Sequence, residues 1–180
     1  MTLAVEGLLE RAKGGDRLAF ESVFAPYAVD AFRLAMVLLQ HREDAEDAVQ
    51  NAMLKAWRKL ATFRTGCEVR PWFLTIVANE CRSLRRSRWW SVVRMADLNG
   101  ECDTWRDSLP DEIDLRKMLA RLPGDQRLLI VLRYYLDLPF DQVAAVVGSS
   151  PEAAKSRTFR VLRKLRLAGD LVEAAAEVQV

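Results

Sequence analysis

A chain of 180 residues, 51% hydrophobic and 29% charged, has room for one medium or two small globular domains and is neither a disordered nor a collagenous chain. The formal net charge of +2 conceals a strong segregation: residues 81–94 carry five Arg and residues 155–166 six Lys or Arg, both without an acid, while residues 97–114 hold seven Asp or Glu against the single Arg106. Cys67, Cys81 and Cys102 lack CxxC spacing and His41 is the one imidazole, which argues against a zinc site or a disulfide framework and for a reducing cytoplasm. No apolar run approaches the roughly 18 residues of a membrane span, and the acids of MTLAVEGLLERAKGG do not suit a signal peptide. A cytoplasmic protein with no metal, no cofactor and no membrane insertion is expected.

Helical periodicity runs through nearly every segment. LAVEGLLERAKGG reads as a short helix ended by Gly14-Gly15, after which Asp16 can cap DRLAFESVFAPY, and AVDAFRLAMVLLQ continues in helical style. In AEDAVQNAMLKAWRKLATF the residues Ala45, Val49, Ala52, Met53, Ala56 and Leu60 share one face. TGCEVRP is a loop, and WFLTIVANECRSLRRSRWW resumes a helix that passes from apolar to strongly basic. Residues 95–110 have no sustained period, include Asn99-Gly100, and read as a flexible acidic linker. Helical patterns then return in DEIDLRKMLARLP, DQRLLIVLRYYLDL and PFDQVAAVVG.

The stretch GSSPEAAKSRTFRVLRKLR opens with start signals for another helix: Ser149 and Ser150 as caps, Pro151 at the first position and Glu152 at the positive end of the dipole. Ala154, Thr158, Val161, Leu162 and Leu165 fall on one side, Lys155, Ser156, Phe159, Arg163 and Arg166 on the other, with Arg160 at the edge. A solvated face would mix both charge signs and seldom carry a Phe. An aromatic ring among cations suits a major groove, where it can touch a thymine methyl while the cations take phosphates or guanine edges. With Val143, Ala144 and Val147 inward and Gly148 between, the pair of helices has the helix-turn-helix form.

Three stretches in order carry a resemblance. DAEDAVQNAMLKAWRKLATFR (44–64) and RPWFLTIVANECRSLRR (70–86) resemble region 2, and residues 122–166 resemble region 4, of the extracytoplasmic-function (ECF, group 4) sigma factors of the sigma-70 family. These are promoter-specificity subunits of bacterial RNA polymerase. The resemblance implies an all-α chain of two small helical domains: region 2 over 1–94, the linker 95–110, region 4 over 111–168 and a C-terminal tail 169–180. It implies that Asp47, Gln50, Asn51, Leu54 and Arg58 bind the coiled coil of the polymerase β′ subunit; without it, this face reads as a solvated helix with one stray Leu. It further implies that region 4 meets the β flap. The loop Phe63, Arg64 and Cys67 with Trp72 and Asn79 then matches the element that reads and melts the −10 element, though Trp72 alone reads equally as a core residue. Arg82, Arg85, Arg86 and Arg88 would take phosphates beside the melted segment. Glu152, Ala153, Lys155, Ser156, Phe159, Arg160 and Arg163 would read or flank the −35 element. Partners implied are core RNA polymerase, double-stranded and melted promoter DNA, and an anti-sigma factor.

An enzyme is the first alternative, and the chain has no phosphate-binding Gly-rich loop, no nucleophile motif and a single His. A stand-alone helix-turn-helix repressor would account for residues 122–166 and leave 44–90 without a role; it would dimerise on paired half-sites.

Overall fold

The computed structural model describes residues 2–64, 66–94 and 118–177, with side chains described within 5–64, 66–87 and 118–166. The described residues are helical, without a strand. They divide into two compact units, 1–104 and 105–180. The expected linker 95–110 lies outside the described residues.

In the N-terminal unit, α1 (Thr2–Lys13) stops at Gly14 and Gly15, the latter at φ +93°. Asp16 then accepts from the Ala19 amide at 3.0 Å and starts α2 (Arg17–Phe24), as its position in the sequence suggests. Pro26 carries no N–H and falls in a 3₁₀ turn (Ala25–Tyr27) before α3 (Ala28–Leu39). Gln40, at φ 58°, closes α3 by donating from its amide to Met36 O at 2.8 Å. After it comes α4 (Arg42–Lys59), whose buried stripe is Ala45, Ala48, Ala52 and Ala56. Such small side chains let neighbouring backbones approach closely, and α4 packs on α3 and α5.

The last helix of this unit, α5 (Val69–Arg94), begins three residues earlier than the expected loop TGCEVRP would allow. Pro71 sits in its first turn, where a missing amide breaks no helical hydrogen bond. Phe24, Leu34, Leu60, Phe73 and Leu74 are fully buried between these helices. Phe24 meets Phe20 at a ring-centroid distance of 4.4 Å and Phe73 at 5.2 Å. Each such side chain contributes about 1.5–3 kcal/mol by leaving water. The stretch Arg17–Leu39 is apolar enough to resemble a membrane span, but the turn at Pro26 interrupts it and Phe20, Phe24, Ala31 and Leu34 supply this core.

The first described residues of the C-terminal unit, 118–121, are helical and are followed by α6 (Gly124–Ile130). The single helix expected over DQRLLIVLRYYLDL instead widens into a π turn at Val131–Tyr135. Leu128, Leu129, Leu132 and Leu138 form the core with Val143, Val146, Ala154, Thr158 and Val161. Val146 thus takes the buried place in α7 (Phe140–Val147) that the sequence pattern assigns to Val147, which is only half-buried. Arg127 is 5% exposed and donates to the carbonyls of Leu119, Ala120 and Leu122 at 2.8, 2.6 and 3.1 Å. It closes the end of the preceding helical stretch, where carbonyls lack intrahelical partners. The final helix, α8 (Pro151–Glu177), continues through Gly169 rather than yielding to a separate tail from that residue. One interior Gly costs about 1 kcal/mol, and the following AAAE favours helix.

Candidate nucleic-acid and polymerase interfaces

The turn between α7 and α8 is built by local chemistry. Gly148 at φ 70° and Ser149 both donate to the Ala144 carbonyl, at 2.9 and 3.0 Å, ending α7 in a left-handed cap. Ser150 Oγ accepts from the Ala153 amide at 3.2 Å, and Pro151 follows at the first helical position. Ala154, Thr158 and Val161 are buried, Thr158 Oγ1 donating to the Ala154 carbonyl at 2.8 Å. On the outward side Glu152, Ala153, Lys155, Ser156, Arg160 and Arg163 are exposed, and the Phe159 ring is 52% exposed among them. The seven residues expected to read or flank the upstream element therefore lie together on the surface of one helix.

On α4, Asp47, Gln50, Asn51, Leu54 and Arg58 are exposed opposite the alanine stripe, with Leu54 56% exposed. Trp57, which the sequence reading left out, is 37% exposed beside them and packs edge-on against Phe20 at 5.0 Å. Its place three residues after Leu54 is the signal that could have found it.

The residues expected at the promoter-opening element separate. Arg64 and Cys67 are exposed in the loop, which turns at Gly66 with φ 88°. Phe63 is not on that surface: it is 5% exposed, with its ring 5.0 Å from Trp72. Where the sequence reading places it at the DNA, it stands at the end of a 3₁₀ turn (Leu60–Thr62) with its ring packed in the core. Trp72 is half-buried between Phe63 and Phe24, the latter at 6.1 Å. The start of α5 is tied to α3 by Arg70, whose Nε and Nη2 donate to Asp30 Oδ2 at 3.0 and 2.7 Å.

Farther along α5, Asn79 is exposed and its Oδ1 accepts from Arg82 at 3.0 Å; Arg85 and Arg86 are exposed, and the side chain of Arg88 lies outside the described residues. Asn79 lines a groove with Lys55, Arg58, Lys59, Ile76, Glu80 and Ser83. Arg58 and Asn79, assigned to different partners from sequence, thus share one groove, and Lys55 and Lys59 add charge that the sequence reading missed. Glu80, 8% exposed, holds Lys55 Nζ at 2.6 Å. Next to it Cys81 is buried, which pushes its thiol up to about 12. Among the described residues no group of three His, Cys, Asp or Glu could hold a metal ion.

Matches to known proteins cover most of the chain. Sigma-70 region 2 matches residues 23–91 and Sigma-70, region 4 matches residues 112–165. The ECF RNA polymerase sigma factor SigM of Mycobacterium tuberculosis is 32% identical, over 91% of this chain and 84% of its own. The RNA polymerase sigma factor CarQ of Myxococcus xanthus is also 32% identical, over 91% of this chain and 97% of its own. Among solved structures, the sigma factor RpoE in complex with the anti-sigma factor NepR from Bartonella quintana aligns at a TM-score of 0.73 and 28% identity, covering 82% of this chain and 94% of that one. CnrH in complex with the cytosolic domain of CnrY aligns at 0.71 and 26%, covering 91% and 96%. The chain belongs to the sigma-70 family of RNA polymerase sigma factors, in its extracytoplasmic-function group.

Proposed function

We propose that this sigma factor docks on core RNA polymerase through the exposed face of α4 around Leu54 and directs initiation at promoters whose −35 element is read by α8. The observation that carries the proposal is the Phe159 ring, 52% exposed among Lys155, Arg160 and Arg163 on the second helix of a helix-turn-helix. Aromatic rings and arginines together are what protein interfaces are enriched in. Lys155, Ser156, Phe159 and Arg160 face bases, Glu152 and Ala153 approach them near the helix start, and Arg163 takes a phosphate. Arg64, Cys67, Asn79, Arg82, Arg85, Arg86 and Arg88 serve the −10 element, with Trp72 supporting the loop from behind. The domain limits are 1–94 for region 2 and 111–168 for region 4, joined by the acidic segment 95–110.

Nucleotide addition belongs to the polymerase, so this chain acts as a specificity subunit in the cytoplasm. RpoE, one of the structural relatives named above, was solved with an anti-sigma factor, which supports control of this chain by a partner of that kind.

Native mass spectrometry of the protein with bacterial core RNA polymerase tests the proposal. A one-to-one complex that is lost in Leu54→Asp is expected, since a carboxylate cannot enter an apolar contact without losing its hydration. A wild-type chain that ignores core polymerase and dimerises on DNA overturns it.

A further inference from the structure

Past α6 the backbone widens: the Leu136 amide donates to the Val131 carbonyl at 2.9 Å, an i to i−5 bond. Single π turns are rare and concentrate at functional places. This one carries Arg133. Its guanidinium lies 5.2 Å from the ring centroid of Phe140 and 5.9 Å from that of Tyr134. Nη1 donates to the Leu138 carbonyl at 3.0 Å, with Asp137 Oδ1 at 3.4 Å, so the cation is held from two sides. Phe140 opens α7, and its ring stands 6.4 Å from Phe159, tilted by 43°. That is within the range in which aromatic pairs attract.

Burial does not hold Phe159, which is 52% exposed. An unsupported ring there would sample several rotamers and lose that freedom on binding. We propose that Arg133, Phe140 and Phe159 form a stacked column that presets the Phe159 ring for contact with a base edge, making Arg133 and Phe140 positioning residues for promoter selectivity. The proposal rests on the reading of α8 as the recognition helix. It goes beyond that reading in assigning selectivity to two side chains outside α8, one on the π turn and one at the start of α7.

The test is selection of randomised upstream duplexes by holoenzyme assembled from the full chain and core polymerase, followed by sequencing. The chains compared are wild type, Phe159→Ala, Phe140→Leu, Phe140→Tyr, Arg133→Met and the double variant Phe140→Leu/Phe159→Ala. Phe159→Ala flattens the preference at the base pairs the ring touches. Phe140→Leu flattens the same base pairs by about 2- to 10-fold, the size set by one aromatic pair or one exposed cation–π contact. Phe140→Tyr retains the preference, and Arg133→Met loses part of it at the same place. In the Phe159→Ala background Phe140→Leu adds nothing further, because the two act as a unit.

Circular dichroism melting checks each fold, and if Phe140→Leu does not fold, Arg133→Met carries the comparison alone. Binding of the selected duplex is also measured against salt. Arg133→Met leaves the slope unchanged if Arg133 acts through Phe140; a slope smaller by about 1 means a lost phosphate contact and overturns its positioning role. If Phe159→Ala flattens a base pair while Phe140→Leu and Arg133→Met do not, the column is wrong and the recognition helix stands. If Phe159→Ala changes no base pair, the reading of α8 falls and the column with it.

Discussion

The ring of Phe63 meets the ring of Trp72 at a centroid distance of 5.0 Å and an interplanar angle of 65°, which joins the residue ahead of an exposed loop to the first turns of α5. The contact makes Phe63 a core residue, so Phe63→Ala should lower stability by about 3–5 kcal/mol, and Phe63→Leu by no more than about 1.5 kcal/mol. Chemical denaturation followed by tryptophan fluorescence measures both. A Phe63→Ala protein as stable as wild type but unable to open promoters would return this residue to the DNA interface.

Arg127 serves three carbonyls from a position 5% exposed, so nothing replaces it when it is cut back. Arg127→Met should cost about 3 kcal/mol, because the methylene stem is kept while buried acceptors lose a charged donor. Urea unfolding followed by circular dichroism reads the loss. A change under about 0.5 kcal/mol would mean that water satisfies these carbonyls as well as the guanidinium does.

The amide of Ala19 and then the side chain of Arg11 hold the Asp16 carboxyl below its usual range. A carboxyl lowered by folding stabilises above its unfolded value of 3.8 and loses that contribution as pH falls through the folded value. The melting temperature of Asp16→Ala should therefore lie below wild type at pH 7 and converge on it in acid. Asp16→Asn, which keeps a capping oxygen without the charge, should fall between the two at pH 7.

Cys67 is exposed and Cys81 is buried, with the Cys81 thiol pushed up to about 12 by desolvation. In a Cys102→Ser background, an aromatic disulfide reagent at pH 8 should titrate one thiol per native chain and a second only after denaturation, since the thiolate is the attacking species. The same shift has a sign for stability: the thiol contributes fully below pH 9 and loses its contribution as pH rises from there towards 12. The stability difference between wild type and Cys81→Ala should shrink over that alkaline range.

Along α8, cations that read bases and cations that take phosphates should separate by salt dependence. Arg163→Ala should weaken binding to all duplexes alike and reduce the log–log salt slope by about 1. Arg160→Ala should cost about 1–3 kcal/mol on the preferred duplex and relax selectivity at one position. Fluorescence anisotropy of the holoenzyme on upstream duplexes at several salt concentrations distinguishes them, and identical behaviour of the two variants would remove the division.

What was legible in the sequence is what local chemistry decides. Gly148, Ser150 and Pro151 announce the end of one helix and the start of the next because left-handed backbone, a capping hydroxyl and a missing amide act within a few residues. The outward face of α8 followed from period alone, since Ala154, Thr158 and Val161 recur at helical spacing and leave Phe159 opposite.

Period tells which face is covered and not by what, and it is silent where a helix changes form. Phe63 stands at the end of a 3₁₀ turn, so no pattern showed its ring turning inward to Trp72. Arg127 is a charged residue with an apolar residue's burial, possible only because the break at Leu122 and Pro123 leaves three carbonyls within its reach. Arg58 and Asn79 sit on different helices and become lining of one groove only when α4 packs on α5. Sequence by itself determined the helical class, the outward face of α8 and the segregation of charge; the tertiary structure decided which aromatic rings are core, because burial depends on which neighbours the fold brings to each ring.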